Sequence, residues 1–379
     1  MHPIPDLEKL LVSAGSAPTR LSALNDLAFA LACQGDSERA LPLAREAEQL
    51  AIVCGDEHEL SLALGSVGLG HCMSARYAEG LQDCMRALIA GERAESAPAI
   101  ASALVSTALC QYQMGAREAA LGSLYRAIEV TQDISCDAVL IRAHNALAVI
   151  LSDKGCFDES EAHYDYALEI GAASGDAGYT ARVKVNYASL FYERGRAVQR
   201  ADRTADAAPL YRAGIRLCEE ALAASTTAGV FLDAHCLCTL GELHRELGDR
   251  EGAAALFVRM HTQATKARNP HQQAEALVNL GGLRAEAGDF GGARRDFKTA
   301  LDLASGAAVR PLVAEALLGL STVHEECGDF KMALEYRKRF DVLQEEMLRV
   351  ERRAVGVAHD IWRNYQRLRA EKGNFQEHA

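Results

Sequence analysis

Arg142 and Arg182 stand 40 residues apart, and so do Asp153 and Glu193. A guanidinium fork binds carboxylate or phosphate through two parallel hydrogen bonds, so stacked arginines would make an anion site. The same arginines could instead pair with the two carboxylates and bind nothing. Catalytic sets fall short throughout. His244, Glu246 and Asp249 share one helix end, but HxE alone is not a metal set. His324 opens HEEC, which lacks the second histidine of a zinc-binding HExxH helix. His71, His144, His163 and His261 are scattered. The 11 cysteines contain no CxxC, only Cys236 and Cys238 in CxC spacing. Cys110, Cys218 and Cys236 fall on apolar helix faces, which reads as reduced core thiols rather than zinc ligands or disulfides. The chain therefore reads as no enzyme, with no cofactor and no metal.

The 40-residue spacing belongs to the scaffold. Val278 to Ala304 reads as a helix, a Gly-Asp turn at Gly288 and a second helix. Gly35, Gly115, Gly155 and Gly195 stand at multiples of 40 residues, with Ala75 in the gap; Gly248, Gly288 and Gly328 continue the step. The two series are offset by 13 residues between Gly195 and Gly248. A fixed period of this length marks a solenoid. Leu240-Gly241 and Leu280-Gly281 precede their turns, and small residues there let a partner helix approach closely. Phe290, Ala293, Phe297, Ala300 and Leu301 alternate bulk and hollow on one helix face; Phe157, Tyr164, Ala167 and Leu168 repeat the scheme.

Those residues resemble the tetratricopeptide repeat in its 40-residue variety, over roughly residues 20 to 340. The expected fold is all-α: a right-handed α-solenoid of about eight helix-turn-helix repeats. Residues 1–20 are expected to form an N-terminal cap and 21–339 the superhelix, with an insertion at about 196–208 that is either a tolerated surface loop or a loop or extended helix on a binding face. A net charge of −12 argues against nucleic acid as partner. No stretch is long and apolar enough to span a bilayer, and the N-terminus carries no signal-peptide pattern, which predicts a cytoplasmic protein without membrane contact. The alanine- and arginine-rich composition is compatible with a bacterial source.

From Phe340 the rhythm changes. Phe340, Leu343, Met347, Val350, Ala354, Val357 and Ile361 step by three and four, a heptad seam. Residues 340–372 are expected to form either a coiled-coil homodimer or a connector helix capping the last repeat; the length favours the dimer. Residues 373–379 read as a disordered tail. GDFKMALEYRKRF running into the heptads is similar to the sensory tetratricopeptide region of bacterial signalling proteins that feed a helix into a diguanylate cyclase or comparable output. VAHDIWRN, with His359-Asp360, resembles the phosphoacceptor helix of sensor histidine kinases but lacks the following proline.

The repeat resemblance implies that the first helix of each pair lines a concave groove holding an extended peptide or protein segment, where asparagine clamps the peptide backbone because its amide both donates and accepts. The expected groove residues are Arg142, Asn145, Arg182, Asn186, Tyr192, Glu193, His235, Arg245 and Asn279. Two functions follow: a non-enzymatic peptide-binding scaffold, or a ligand-sensing regulator signalling through the C-terminal helix.

Overall fold

A computed structural model describes residues 4–33, 36–74, 76–132, 134, 136–202, 204–228, 233–307 and 309–376. Its helices run in chain order. A short α1 (Ile4–Ser13) precedes the pairs α2 (Ala17–Cys33) and α3 (Ser37–Cys54), α4 (Glu57–Met73) and α5 (Tyr77–Arg93), α6 (Ala97–Gln113) and α7 (Arg117–Val130), and α8 (Asp137–Asp153) and α9 (Phe157–Ser174). Then come α10 (Ala177–Arg200) and α11 (Thr204–Ala228), α12 (Asp233–Glu246) and α13 (Arg250–Lys266), α14 (Pro270–Glu286) and α15 (Phe290–Gly306), and α16 (Arg310–Glu326) with the long α17 (Phe330–Gln376). No strand occurs among the described residues. The chain divides into two compact units. Unit 1 holds Met1–Val183, Ala224–Phe231 and Glu351–Ala379; unit 2 holds Lys184–Ala223 and Leu232–Val350.

The Gly-Asp dipeptides make the turns of unit 2. Gly248, Gly288 and Gly328 take φ of 82°, 80° and 76°, a left-handed conformation that glycine enters without a Cβ clash and that ends the first helix. The aspartate after each glycine caps the second helix. Asp249 Oδ1 accepts from the Gly252 amide at 2.9 Å, Asp289 Oδ1 from Gly292 at 2.8 Å, and Asp329 Oδ1 from Met332 at 3.2 Å. Each cap contributes about 1 kcal/mol. The pair is then locked by an aromatic ring over a glycine: Phe257 sits on Gly241, and Phe297 on both Gly281 and Gly319.

The expected turn at Gly195 is corrected. Gly195 lies inside α10, in contact with the Tyr211 ring of α11. The offset Gly195–Tyr211 equals those of Gly241–Phe257 and Gly281–Phe297, so Gly195 is the packing glycine of its repeat. The turn falls seven residues on, at Asp202, with φ of 56°. The insertion is therefore no loop. It lengthens α10 to 24 residues and α11 to 25, against 17 for a typical helix of the array. Helix extension keeps backbone groups paired where a polar loop would leave them to water. Gly35 and Ala75, read as further turn positions, lie outside the described residues.

In unit 1 the helices approach through small residues. A Cβ on Gly68 of α4 would lie 2.8 Å from the Gly80 carbonyl of α5. Leu81, Leu88, Leu104, Leu124 and Leu147 are buried in its core. First helices touch one another along α2, α4, α6 and α8, and α14 touches α16 in unit 2. Second helices make no comparable contact among the described residues, so within each unit the first helices lie on the inside of the curve. In this core Cys72 of α4 and Cys110 of α6 lie next to each other, Cα atoms 5.8 Å apart. Cys84 Sγ lies 3.6 Å from Cys110 Sγ.

Part of the heptad seam of α17 packs within the chain, while Val350 between the two packed stretches is exposed. Phe340 and Leu343 pack on the core of unit 2. Ala354, Val357 and Ile361, with Trp362, pack on the core of unit 1. A second copy is not needed to cover these side chains.

Candidate functional site

One register position on the first helices collects most of the chemistry. Stepping by 40 residues from Ser102 gives Arg142 and Arg182; the next copies are His235, Glu275 and Glu315. The first three belong to unit 1 and the last three to unit 2. Within unit 1 the arginine of α8 is already engaged. Arg142 Nη1 lies 3.4 Å from Ser102 Oγ, and its guanidinium carbon stands 4.1 Å from the centre of the Phe29 ring. Its Nη2 is buried and has no acceptor among the described residues. Asp153, the alternative partner, instead accepts from Tyr112 Oη at 2.5 Å. Asn145 and Arg182 are half-buried on α8 and α10.

Unit 2 holds the other expected residues: Asn186, Tyr192 and Glu193 on α10, His235 and Arg245 on α12, and Asn279 on α14. His235 and Glu193 are exposed. Arg245 is not available to an anion, because its Nε donates to Glu286 Oε1 at 2.8 Å. Arg196 Nη1 donates to Tyr192 Oη at 3.1 Å. Asn279 Nδ2 donates to the Glu275 carbonyl at 3.2 Å, one turn back along its own helix. That bond fixes the asparagine's orientation.

Three further carboxylates complete the face: Glu242 of α12, Glu275 of α14 and Glu315 of α16. Among the described residues no ion pair reaches any of them; Glu275 accepts only from Cys238 Sγ, at 3.5 Å. Burial raises the Glu242 carboxyl to about 7, helped by the charges of Glu275, Glu193 and Glu315. Burial raises Glu275 as well, and Glu315 follows in the same direction. Burial also pushes the Tyr192 phenol up, with Glu242 adding to the effect. A carboxylate without a cation favours its neutral form, and an arriving cation would recover the lost charge stabilisation. The register could have found Glu275 and Glu315, since they are the copies of Arg142 and Arg182. Unit 2 thus presents a row of acceptors, Glu242, Glu275 and Glu315, with Asn279 next to Glu275.

Outside this face the histidine motifs settle into the scaffold. His244 Nδ1 lies 2.8 Å from Asp249 Oδ2 and His324 Nδ1 3.1 Å from Asp329 Oδ2, each beside its own turn. His359 is exposed on α17, next to an Asp360–Arg363 pair at 3.3 Å. Among the described residues no cluster of three histidine, cysteine or acidic side chains is arranged to hold a metal ion. Among the described residues no helix is long and apolar enough to cross a membrane.

Comparison with known proteins places the repeats. Tetratricopeptide repeat profiles match residues 20–59 and 272–339. No curated protein matches the sequence. Solved structures do resemble the fold. The Rap conjugation gene regulator of plasmid pLS20, solved with the Phr* peptide, is 13% identical, with 87% of this chain and 96% of that one covered at a TM-score of 0.58. The apo quorum sensor NprR of B. thuringiensis is 14% identical, covering 90% and 92%, TM-score 0.57. Aspartyl phosphate phosphatase F of Bacillus subtilis is 12% identical, covering 87% and 95%, TM-score 0.53.

Proposed function

We propose that this tetratricopeptide-repeat protein is a non-enzymatic, peptide-binding regulator, and that its recognition face is the first-helix row of unit 2. The observation that carries the reading is the set Glu242 and Glu275, half-buried, with Glu315 exposed in the register of Glu275; none of the three forms an ion pair among the described residues, although Arg245 lies near Glu242. Uncompensated charge on a concave, repeat-built face is costly to the free protein. It is repaid when a ligand supplies the missing cation. A lysine or arginine side chain or a peptide amino terminus fits that need, while Asn279, its Nδ2 held by the Glu275 carbonyl, keeps its Oδ1 to accept from a backbone amide. The likeness to a regulator crystallised with the Phr* peptide and to a quorum sensor supports a short peptide as the ligand class and regulation as the role.

The test compares two fluorescein-labelled pools of acetylated seven-residue peptides, one with lysine and one with norleucine at the central position. Fluorescence anisotropy should show saturable binding of the lysine pool alone, lost in the doubly substituted Glu242→Gln, Glu275→Gln chain. Equal binding of both pools, or binding unchanged by the substitutions, removes the assignment.

A further inference from the structure

The segment 351–363 does not follow the repeat. Its apolar residues Ala354, Val357 and Ile361 keep helical spacing i, i+3, i+7, and Trp362 joins them. All four pack on the core built by α4 to α8 in unit 1. None of the four is fully buried, whereas Leu104, Leu124 and Leu147 beneath them are 0% exposed. The flanking residues Arg352, Arg353, Gly356, His359, Asp360 and Arg363 are exposed, and most of them carry charge or polarity. A repeat helix is held by partners on both sides. This segment rests on the unit through one stripe and turns a hydrophilic back to water, the architecture of an amphipathic ligand helix seated on an apolar face.

We infer that unit 1 carries a docking face for an amphipathic helix, of which residues 351–363 are the resident occupant. The occupant is this segment itself, which leaves the face and returns to it as one amphipathic helix. The resident prevails in the isolated chain because its tether gives it an effective concentration on the order of millimolar. This face is distinct from the carboxylate row of unit 2, so either assignment stands or falls alone.

Trp362 is the chain's single tryptophan, which makes the test direct. A blocked synthetic peptide of residues 351–363 supplies the only tryptophan when added to full-length chains carrying W362F. Chain W362F keeps its resident helix; chain I361E/W362F carries a charge in the stripe and releases it. The peptide's emission should shift to shorter wavelength, saturably, with I361E/W362F, and bind W362F at least about tenfold more weakly. In the otherwise unaltered chain, I361E should shift Trp362 emission to longer wavelength. Equal affinity for both chains, or no binding to either, overturns the inference. Helical circular dichroism checks that I361E leaves the repeats folded; if it does not, V357S/W362F carries the same comparison with the same outcomes.

Discussion

The two units use the same place on the first helix in opposite ways. In unit 1 the place holds Ser102, Arg142 and Arg182; in unit 2 it holds His235, Glu275 and Glu315. Backbone geometry is common to both, because each repeat packs on its neighbours through small residues and rings that do not involve this position. Charge at the position is therefore free to vary. In unit 1 Arg142 lies against Ser102 and Phe29, without a carboxylate and with its Nη2 lacking an acceptor among the described residues. In unit 2 the carboxylates form no ion pair among the described residues. The lesson is that a solenoid separates what folds it from what it binds, and that the uncompensated side chains mark the second.

The comparison breaks most sharply if unit 2 is given the charges of unit 1. Replacing Glu275 and Glu315 by arginine should leave the helical circular dichroism intact and weaken lysine-peptide binding about 100-fold or more, since a like charge then faces the ligand. Anisotropy titration checks it. Retained affinity would show that the row is only a solvated face.

A milder change is protonation. Glu242 titrates near 7 in the folded chain against an ordinary 4.5. The folded state thus holds a proton between pH 4.5 and 7 that the unfolded state has released. Its contribution to stability is complete below pH 4.5 and is lost as pH rises through 7, amounting to on the order of 3 kcal/mol. Peptide binding runs the other way, because the ionised carboxylate attracts the cation. Affinity should rise about tenfold from pH 5.5 to 8 while the unfolding midpoint falls. Glu242→Gln should flatten both profiles. Urea unfolding and anisotropy across that pH range are the measurements; parallel profiles would contradict the assignment.

Much of this was legible in the sequence, and the failures have identifiable causes. The turns at Gly248, Gly288 and Gly328 were readable because glycine and aspartate do separate jobs there, entering the left-handed region and capping the next helix. Gly195 misled because glycine also serves as a hollow for a ring. The sixteen residues separating it from Tyr211, the same as from Gly281 to Phe297, carry the correct phase. Asp202 concealed the true turn, since an aspartate tolerates positive φ without advertising it. The residues named for the groove all fall on first helices, yet residue type alone did not tell engaged from unengaged. Arg245 was read as a ligand contact and is held by Glu286. Phe29 could not be assigned to Arg142 at all. That contact joins α2 to α8 across the inside of unit 1, and it depends on how successive repeats turn relative to one another.

The Arg142–Phe29 contact gives the smallest effect and the finest test of the comparison. The guanidinium over the ring is worth roughly 0.5–2 kcal/mol in such a half-desolvated setting. Because Arg142 also approaches Ser102, the single substitution Arg142→Met removes more than the ring contact. A cycle with Phe29→Leu, Arg142→Met and the double variant isolates the pair. The expected coupling is about 1 kcal/mol in urea unfolding, with lysine-peptide affinity unchanged in all three variants. A coupling near zero would mean that the arginine of unit 1 is no more committed than the glutamates of unit 2. The contrast between the two rows would then rest on the carboxylates alone.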